Sequence, residues 1–319
     1  MQHVVVTGAS GWLGSRICAA LERDGETVRR VVRQQGVAGE FGWDFGRSDA
    51  LGPLVAFLRG SDTIIHCAAR VHVGNDGDAA AKAHHAVNAA GTRQLVQAAR
   101  EAGVQRFVFL STIAVYHWDG LCRPATEDLI ESGESAYAKS KRAAEQFVAE
   151  SGLDWRIARL ATVFGEGDIA NFLRLARAIR RRRFFVPGDG DSRKSVVSID
   201  RAVEIIRGLA AIPAPRHRLL NVGSPTRPTL REISDAFSDL CGFARVPSLG
   251  PVASRWLARL GDGLRTVGLP APYDSATLTK LNTDTMVAVQ RQQELFPDLQ
   301  WGNFHDDLRR HRDYYLAST

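Results

Sequence analysis

Val4-Val5-Val6-Thr7-Gly8-Ala9-Ser10-Gly11-Trp12-Leu13-Gly14 opens this 319-residue chain with an apolar run, a glycine turn and the start of a helix. Three consecutive valines read as a strand buried on both faces, as in parallel sheets. Gly8, Gly11 and Gly14 fall between strand and helix in the spacing G-x-x-G-x-x-G. Gly8 permits a tight turn, Gly11 lets the main chain approach a pyrophosphate, and Gly14 lets helix and strand pack closely. The helix start at Trp12 and Leu13 then offers unpaired N–H groups and the positive end of its dipole. At a first strand–helix junction this pattern predicts dinucleotide binding.

Further along, strands and helices alternate to about residue 160, the pattern of a doubly wound parallel α/β sheet. The predicted strands are Val4–Val6, Thr27–Val32, Phe41–Phe45, Thr63–Ile65, Arg106–Leu110 and Trp155–Leu160, with helices over Trp12–Arg23, Leu51–Leu58, Ala80–Ala102 and 136–151 and a polar loop over 74–78. A helix at 169–180, a strand at Ser195–Ile199 and a strand at Leu219–Val222 follow. Residues 1–165, with about 195–223, are expected to form the nucleotide-binding unit. Residues 166–194 and 224–319 are expected to form a smaller, interleaved C-terminal lobe for substrate, in which Trp256, Leu257, Leu260, Leu264 and Tyr273 read as ordinary core.

The bulk properties narrow the function. Net charge is +6, but the densest basic run, Arg180-Arg181-Arg182-Arg183, ends a predicted helix, where cations suit the dipole. No nucleic-acid partner is expected, whereas an anionic small molecule is compatible. No apolar run reaches the roughly 20 residues of a membrane span, and no leader is expected. Cys18, Cys67, Cys122 and Cys241 lack metal-ligand spacing and read as free thiols of a cytoplasmic protein; no metal is expected.

The end of the second strand bears on which cofactor. An acid there would bind a ribose 2′-hydroxyl, a cation a 2′-phosphate. Val31-Val32-Arg33 offers the cation, with Arg16 or Arg29 as helpers, so NADP(H) is preferred and NAD(H) is the alternative. Asp44 is a candidate acceptor for the adenine amine or a plain turn residue.

Tyr137-Ala138-Lys139-Ser140-Lys141 carries the chemistry. On a helix, Tyr137 and Lys141 share one face. Lowering a phenol from its ordinary pKa near 10 to about 7 takes roughly 4 kcal/mol, and a unit cation about 4 Å away at an effective dielectric near 20 supplies about that much, so Lys141 together with an oxidised nicotinamide ring is expected to poise Tyr137 for proton exchange. Thr112, at the carboxyl end of the fifth strand, can hold the substrate oxygen beside the phenol, with Ser111 as the alternative because a one-residue shift reverses the facing.

These motifs resemble the extended short-chain dehydrogenase/reductases of the NAD-dependent epimerase/dehydratase group. The resemblance rests on Thr7-Gly8-x-x-Gly11-x-x-Gly14, His66-Cys67-Ala68-Ala69, Asn88-Ala89-Ala90-Gly91-Thr92, Ser111-Thr112-x-x-Val115-Tyr116, Tyr137-x-x-x-Lys141, Arg159-Leu160-x-x-Val163-Phe164-Gly165, Gly188-Asp189-Gly190 and Asn221-Val222-Gly223. It implies a Rossmann fold in which Tyr137 is the acid/base, Lys141 binds the nicotinamide ribose and tunes the phenol, and Thr112 orients the substrate. Ala68 would line the cofactor channel and Asn88 stand beside the site. Ser111, Asn171, Arg193 and Lys194 would face the substrate, and a homodimer would pair through helices at roughly 82–102 and 136–151. Departures include His117-Trp118 after Tyr116, where the family usually has glycine, and Lys194 where many nucleotide-sugar members place an arginine with its bidentate fork.

Three functions follow as alternatives. The first is an epimerase or dehydratase acting on a secondary alcohol of a sugar-like, nucleotide-linked substrate. The second is an NADPH-dependent ketone reductase resembling hydroxysteroid dehydrogenases. The third is a cofactor-binding protein without catalysis, against which the intact Thr112, Tyr137 and Lys141 argue.

Overall fold

Val4, Val5 and Val6 are almost wholly buried because both faces of their strand are covered by helices. A computed structural model describes residues 2–47, 50–71, 77–129, 133–269, 271 and 273–319; the loop expected over 74–78 lies outside them up to residue 76. In chain order the first half runs β1 (His3–Thr7), α1 (Trp12–Arg23), β2 (Thr27–Val32), β3 (Glu40–Gly42), α2 (Gly52–Leu58), β4 (Thr63–His66), α3 (Asp78–His84), α4 (Gly91–Ala102), β5 (Arg106–Thr112), α5 (Ala136–Ala149) and β6 (Asp154–Leu160). Then come β7 (Thr162–Phe164), α6 (Asn171–Arg180), β8 (Val186–Pro187), β9 (Val196–Ser198), α7 (Ile199–Ala211), β10 (Leu219–Val222), α8 (Leu230–Cys241), β11 (Ser248–Leu249), α9 (Pro251–Thr266), α10 (Ser275–Asn282), α11 (Gln290–Leu295), α12 (Phe304–Arg310) and α13 (Arg312–Ser318).

Seven strands form one parallel sheet in the order β10-β6-β5-β4-β1-β2-β3. The chain builds outward from β1 through β2 and β3, then returns to β4 on the other side of β1. That reversal opens a crevice at the carboxyl ends of β1 and β4, where doubly wound sheets bind ligands. On one face Ile17, Leu21, Ile205 and Leu209 of α1 and α7 pack on the sheet. Leu54, Leu58, Leu95, Ala99 and Val148 of α2, α4 and α5 cover the other. Each such side chain contributes about 1.5–3 kcal/mol by leaving water. A third cluster of Phe172, Phe237, Phe304, Leu308 and Tyr315 joins α6, α8, α12 and α13.

The helix expected over 80–102 is interrupted. Residues His85–Ala90 form a π-helical turn between α3 and α4. The extra residue turns Asn88 inward, and Gly91 follows where a Cβ would come within 2.6 Å of Phe45. Beneath α5 lies a buried ion pair. Arg159 donates through Nε and Nη2 to the two oxygens of Glu145 at 2.9 and 2.7 Å. Its Nη1 reaches Tyr116 Oη (2.8 Å), which donates to Asn221 Oδ1 (2.7 Å). The group ties β6, α5 and β10 to the segment after β5. Burial alone would lower the Arg159 guanidinium, yet Glu145 raises it above its ordinary value.

Removing one partner leaves the other charged and buried, a loss of about 3–5 kcal/mol. Glu145→Ala is therefore expected to shift the urea midpoint sharply downward, as followed by far-UV circular dichroism; an unchanged midpoint would show the pair to be dispensable.

Candidate active site

The glycine turn fits a pyrophosphate. Gly8 has a positive φ of 65°, and a Cβ there would stand 2.8 Å from the backbone of Ala68. A Cβ on Gly14 would meet the Gly8 carbonyl oxygen at 2.2 Å. Gly11 caps α1 without a side-chain hydrogen bond, so the first-turn N–H groups of Trp12, Leu13 and Gly14 remain available to an anion. The Trp12 indole donates to the Glu166 carbonyl at 2.7 Å, joining the turn to the segment before α6.

Behind this turn a hydrogen-bond chain fixes the geometry. Thr92 Oγ1 donates to the Asn88 carbonyl at 2.6 Å and so accepts from His66 Nε2 at 2.9 Å. His66 Nδ1 is then bare and accepts from Thr7 Oγ1 at 2.6 Å, which itself accepts from the Ala68 N–H at 3.2 Å. The chain assigns His66 one neutral tautomer. Burial among Phe45, Phe107 and Phe109 lowers the imidazole to about 3, with the Lys141 charge adding to the effect. Sequence reasoning placed His66 only in a channel-lining motif; its partners Thr7 and Thr92 come from separate elements.

At the carboxyl end of β5 the two candidate hydroxyls part. Thr112 stands beside the Tyr137 phenol and favours its ionised form, whereas Ser111 is buried and donates to Glu145 at 2.6 Å. The alternation of the strand sends Ser111 under α5 and away from the substrate-facing place considered for it. Ser135 caps α5 by accepting from Ala138 N at 3.1 Å, which places Tyr137 in the first turn and Lys141 one turn later. The Lys141 ammonium is buried, donates to the Leu110 carbonyl at 2.7 Å and lies 4.5 Å from the Phe109 ring centre. Burial lowers it to about 8.

Tyr137 keeps part of its surface open, but enclosure of its ring pushes the phenol up to about 12, opposed by the hydrogen bond with Thr112. Without a cofactor the phenol therefore stands above its ordinary value. The His84 ring meets it edge-on with centroids 5.8 Å apart, and His84 Nδ1 lies 3.1 Å from the Arg70 carbonyl. Asn88 brackets the backbone of Arg70, accepting from its N–H at 2.7 Å and donating to its carbonyl at 3.0 Å. It also donates to Ser140 Oγ at 3.0 Å. Asn88 thus ties the π-helical turn to α5 and to the segment after β4.

The outer candidates divide. Arg33 is exposed at the end of β2. Its expected helpers are engaged elsewhere: Arg16 pairs with Glu166 at 3.1 Å, and Arg29 donates to Arg59 O and Ser61 Oγ. Asp44 accepts from Gly46 N at 2.9 Å and faces Arg47 at 3.6 Å, the contacts of a turn residue. Asn171 is exposed at the start of α6. Lys194 does not project as a cation for substrate: its ammonium donates to the Lys280 and Thr283 carbonyls at the end of α10, and burial lowers it to about 8. Arg193 Nη1 donates to the Arg227 carbonyl at 3.2 Å. Among the described residues no group of acids, histidines and cysteines could hold a metal. A cavity of about 470 Å³ opens at the opposite, amino edge of the sheet beside Gln2, Asp24 and Phe296; none of the candidate residues lines it.

A profile of the NAD dependent epimerase/dehydratase family matches residues 4–223. The UDP-glucose 4-epimerase of Vibrio cholerae is 31% identical over 215 residues, 64% of this chain and 65% of that enzyme, so the match spans just under two thirds of its length. A 4-hydroxy-2-methyl-3-oxo-4-farnesyl-3,4-dihydroquinoline-1-oxide ketoreductase of Stigmatella aurantiaca is 29% identical over 275 residues, 81% of this chain and 79% of that one. Among solved structures, MoeE5 in complex with UDP-glucose and NAD superposes with a TM-score of 0.75 over 99% of both chains at 22% identity, a likeness of fold.

The buried histidine gives a pH test. Folded His66 titrates near 3 and a free histidine at 6.5, so the unfolded chain binds the extra proton between those values. Stability from this group falls as pH drops below about 6.5 and has been lost by about 3, amounting to about 2 kcal/mol by pH 5. Urea midpoints measured between these pH values are expected to fall for the native protein and to fall less for His66→Gln. Parallel slopes would contradict the assignment.

Proposed function

The chain belongs to the NAD dependent epimerase/dehydratase family, and we propose that it oxidises and re-reduces a secondary alcohol of a nucleotide-sugar-like substrate. The observation that carries this reading is the placing of Thr112 beside the Tyr137 phenol at the mouth of the sheet, with the buried Lys141 ammonium on the next turn of the same helix. Gly8, Gly11, Gly14 and the N–H groups of Trp12 and Leu13 would hold the pyrophosphate, and Ala68 would admit the ribose.

A phenol raised to about 12 is protonated at neutral pH and is poised to donate to a carbonyl oxygen. To take a proton from an alcohol it must fall by about five units, about 7 kcal/mol. The value of about 12 is already that of the protein with the Lys141 ammonium in place, so the fall needs a further positive charge beside the phenol. When bound, an oxidised nicotinamide dinucleotide supplies that charge and accepts and returns the hydride. Thr112 then holds the substrate oxygen against Tyr137. With Lys194 engaged by α10, Arg193 is the candidate left of the two for a substrate diphosphate.

Arg33 and the ketoreductase relative favour a second reading, reduction of a ketone with NADP(H) exchanged at each turnover. The 2′-phosphate preference then rests on Arg33. We further propose that residues 1–165 with about 195–223 bind the nucleotide, that 166–194 with 224–319 bind the substrate, and that two copies pair through roughly 82–102 and 136–151 in the cytoplasm.

Tyr137→Phe is expected to lower kcat by about 10²–10⁴-fold while leaving dinucleotide affinity within error in calorimetry; retained turnover would sink the assignment. Interconversion of UDP-sugar epimers without net consumption of added cofactor separates epimerase from reductase. Arg33→Ala is expected to weaken NADPH binding and spare NADH, and equal losses would remove the 2′-phosphate argument.

A further inference from the structure

The helix α9 is built inside out. Its contact face consists of small residues, Ser254, Ala258 and Gly261, all buried. Its large apolar side chains Val252, Trp256, Leu260 and Leu264 recur every fourth position and are 64%, 62%, 64% and 42% exposed. Such a stripe normally faces a core, and the sequence reading placed it there. Here it faces solvent, extended by exposed Val267.

The helix is not free to roll the stripe inward. A Cβ on Gly261 would lie 1.6 Å from the Tyr273 carbonyl oxygen, so that face is pressed against backbone. Ser254 Oγ donates to the Leu249 carbonyl at 2.8 Å. Asp262 accepts from the N–H and hydroxyl of Ser275 at 3.0 and 2.5 Å, and Arg265 pairs with Asp274 at 2.8 Å. Every specific contact holds the small face in and the large residues out.

Charge identifies what meets the stripe. Arg255 and Arg259 border it, three positions after Val252 and Trp256 respectively, and both are exposed. Neither pairs with an acid among the described residues; Arg255 Nε turns back to the Pro251 carbonyl and the Arg259 guanidinium lies 5.8 Å from the Trp256 ring centre. A second copy docked stripe to stripe would face these arginines with the same two arginines. The complementary partner is anionic as well as apolar. A helix of 16 residues with charged flanks is too short to span a bilayer, and no helix among the described residues is long and apolar enough to do so. It suits the interface, with aromatic and aliphatic groups at the acyl boundary and guanidinium groups among headgroup phosphates.

We propose that α9 docks the protein peripherally on an anionic lipid surface through Val252, Trp256, Leu260 and Leu264, with Arg255 and Arg259 as the electrostatic contacts. The proposal is independent of the reaction assigned above.

The test is co-sedimentation of the full chain with vesicles of phosphatidylcholine alone or mixed equally with phosphatidylglycerol. The protein is expected to sediment with the anionic vesicles at low salt, to be released as salt screens the surface, and to stay in solution with phosphatidylcholine alone. Arg255→Gln with Arg259→Gln is expected to weaken partitioning roughly fivefold per arginine. Trp256→Ser with Leu260→Ser is expected to abolish it. Because these side chains are exposed, both variants should keep the native circular dichroism melt. Failure of the native chain to sediment with anionic vesicles would overturn the proposal, as would unaltered binding by both variants. Concentration-dependent self-association abolished by Trp256→Ser would also overturn it, showing that a second copy covers the stripe.

Discussion

The point where β1 and β4 diverge is the constraint on which the rest of the molecule depends. Gly8 and Ala68 meet there backbone to backbone, and Gly14 presses on the Gly8 carbonyl, with no room for a side chain at either glycine. The chain Ala68, Thr7, His66, Thr92 and Asn88 then carries that registration to the π-helical turn. Asn88 passes it on to α5 through Ser140. The nucleotide cradle and the helix bearing Tyr137 and Lys141 are thus held in one frame by hydrogen bonds rather than by apolar packing alone. Such networks specify geometry because every member left unpaired would be costly.

Charge is placed beneath the cleft against its own solvation. The Lys141 ammonium is buried under β5 with a carbonyl and an aromatic face for company. One turn further on, Glu145 pairs with buried Arg159 and takes the hydroxyl of Ser111. A protein selected for stability alone would gain by replacing such groups with hydrocarbon.

Much of this was legible in the chain because the signals are local. The parallel sheet followed from apolar runs alternating with helical periodicity, the tight turn after β1 from glycines that backbone contact requires, and the placing of Tyr137 and Lys141 one turn apart on α5 from helical spacing. What was not legible depends on partners far along the chain. Lys194 finds the carbonyls ending α10, Arg16 finds Glu166, and Ser111 finds Glu145; nothing near each residue announces its partner. In the protein alone the phenol shifts upward because enclosure of the ring outweighs the effect of Thr112, a balance that spacing does not reveal. The stripe on α9 had the periodicity of a core face, and only Gly261 against Tyr273 shows which side is inward.

The acid/base role proposed for Tyr137 requires a phenol that rests high in the protein alone and falls when an oxidised nicotinamide dinucleotide is bound. Ultraviolet difference titration of tyrosinate, with Tyr137→Phe as the subtraction, reads that phenol directly with and without saturating oxidised dinucleotide. Ionisation is expected near 12 in the protein alone, with a drop of several units on loading. The same titration curve in both states would contradict it.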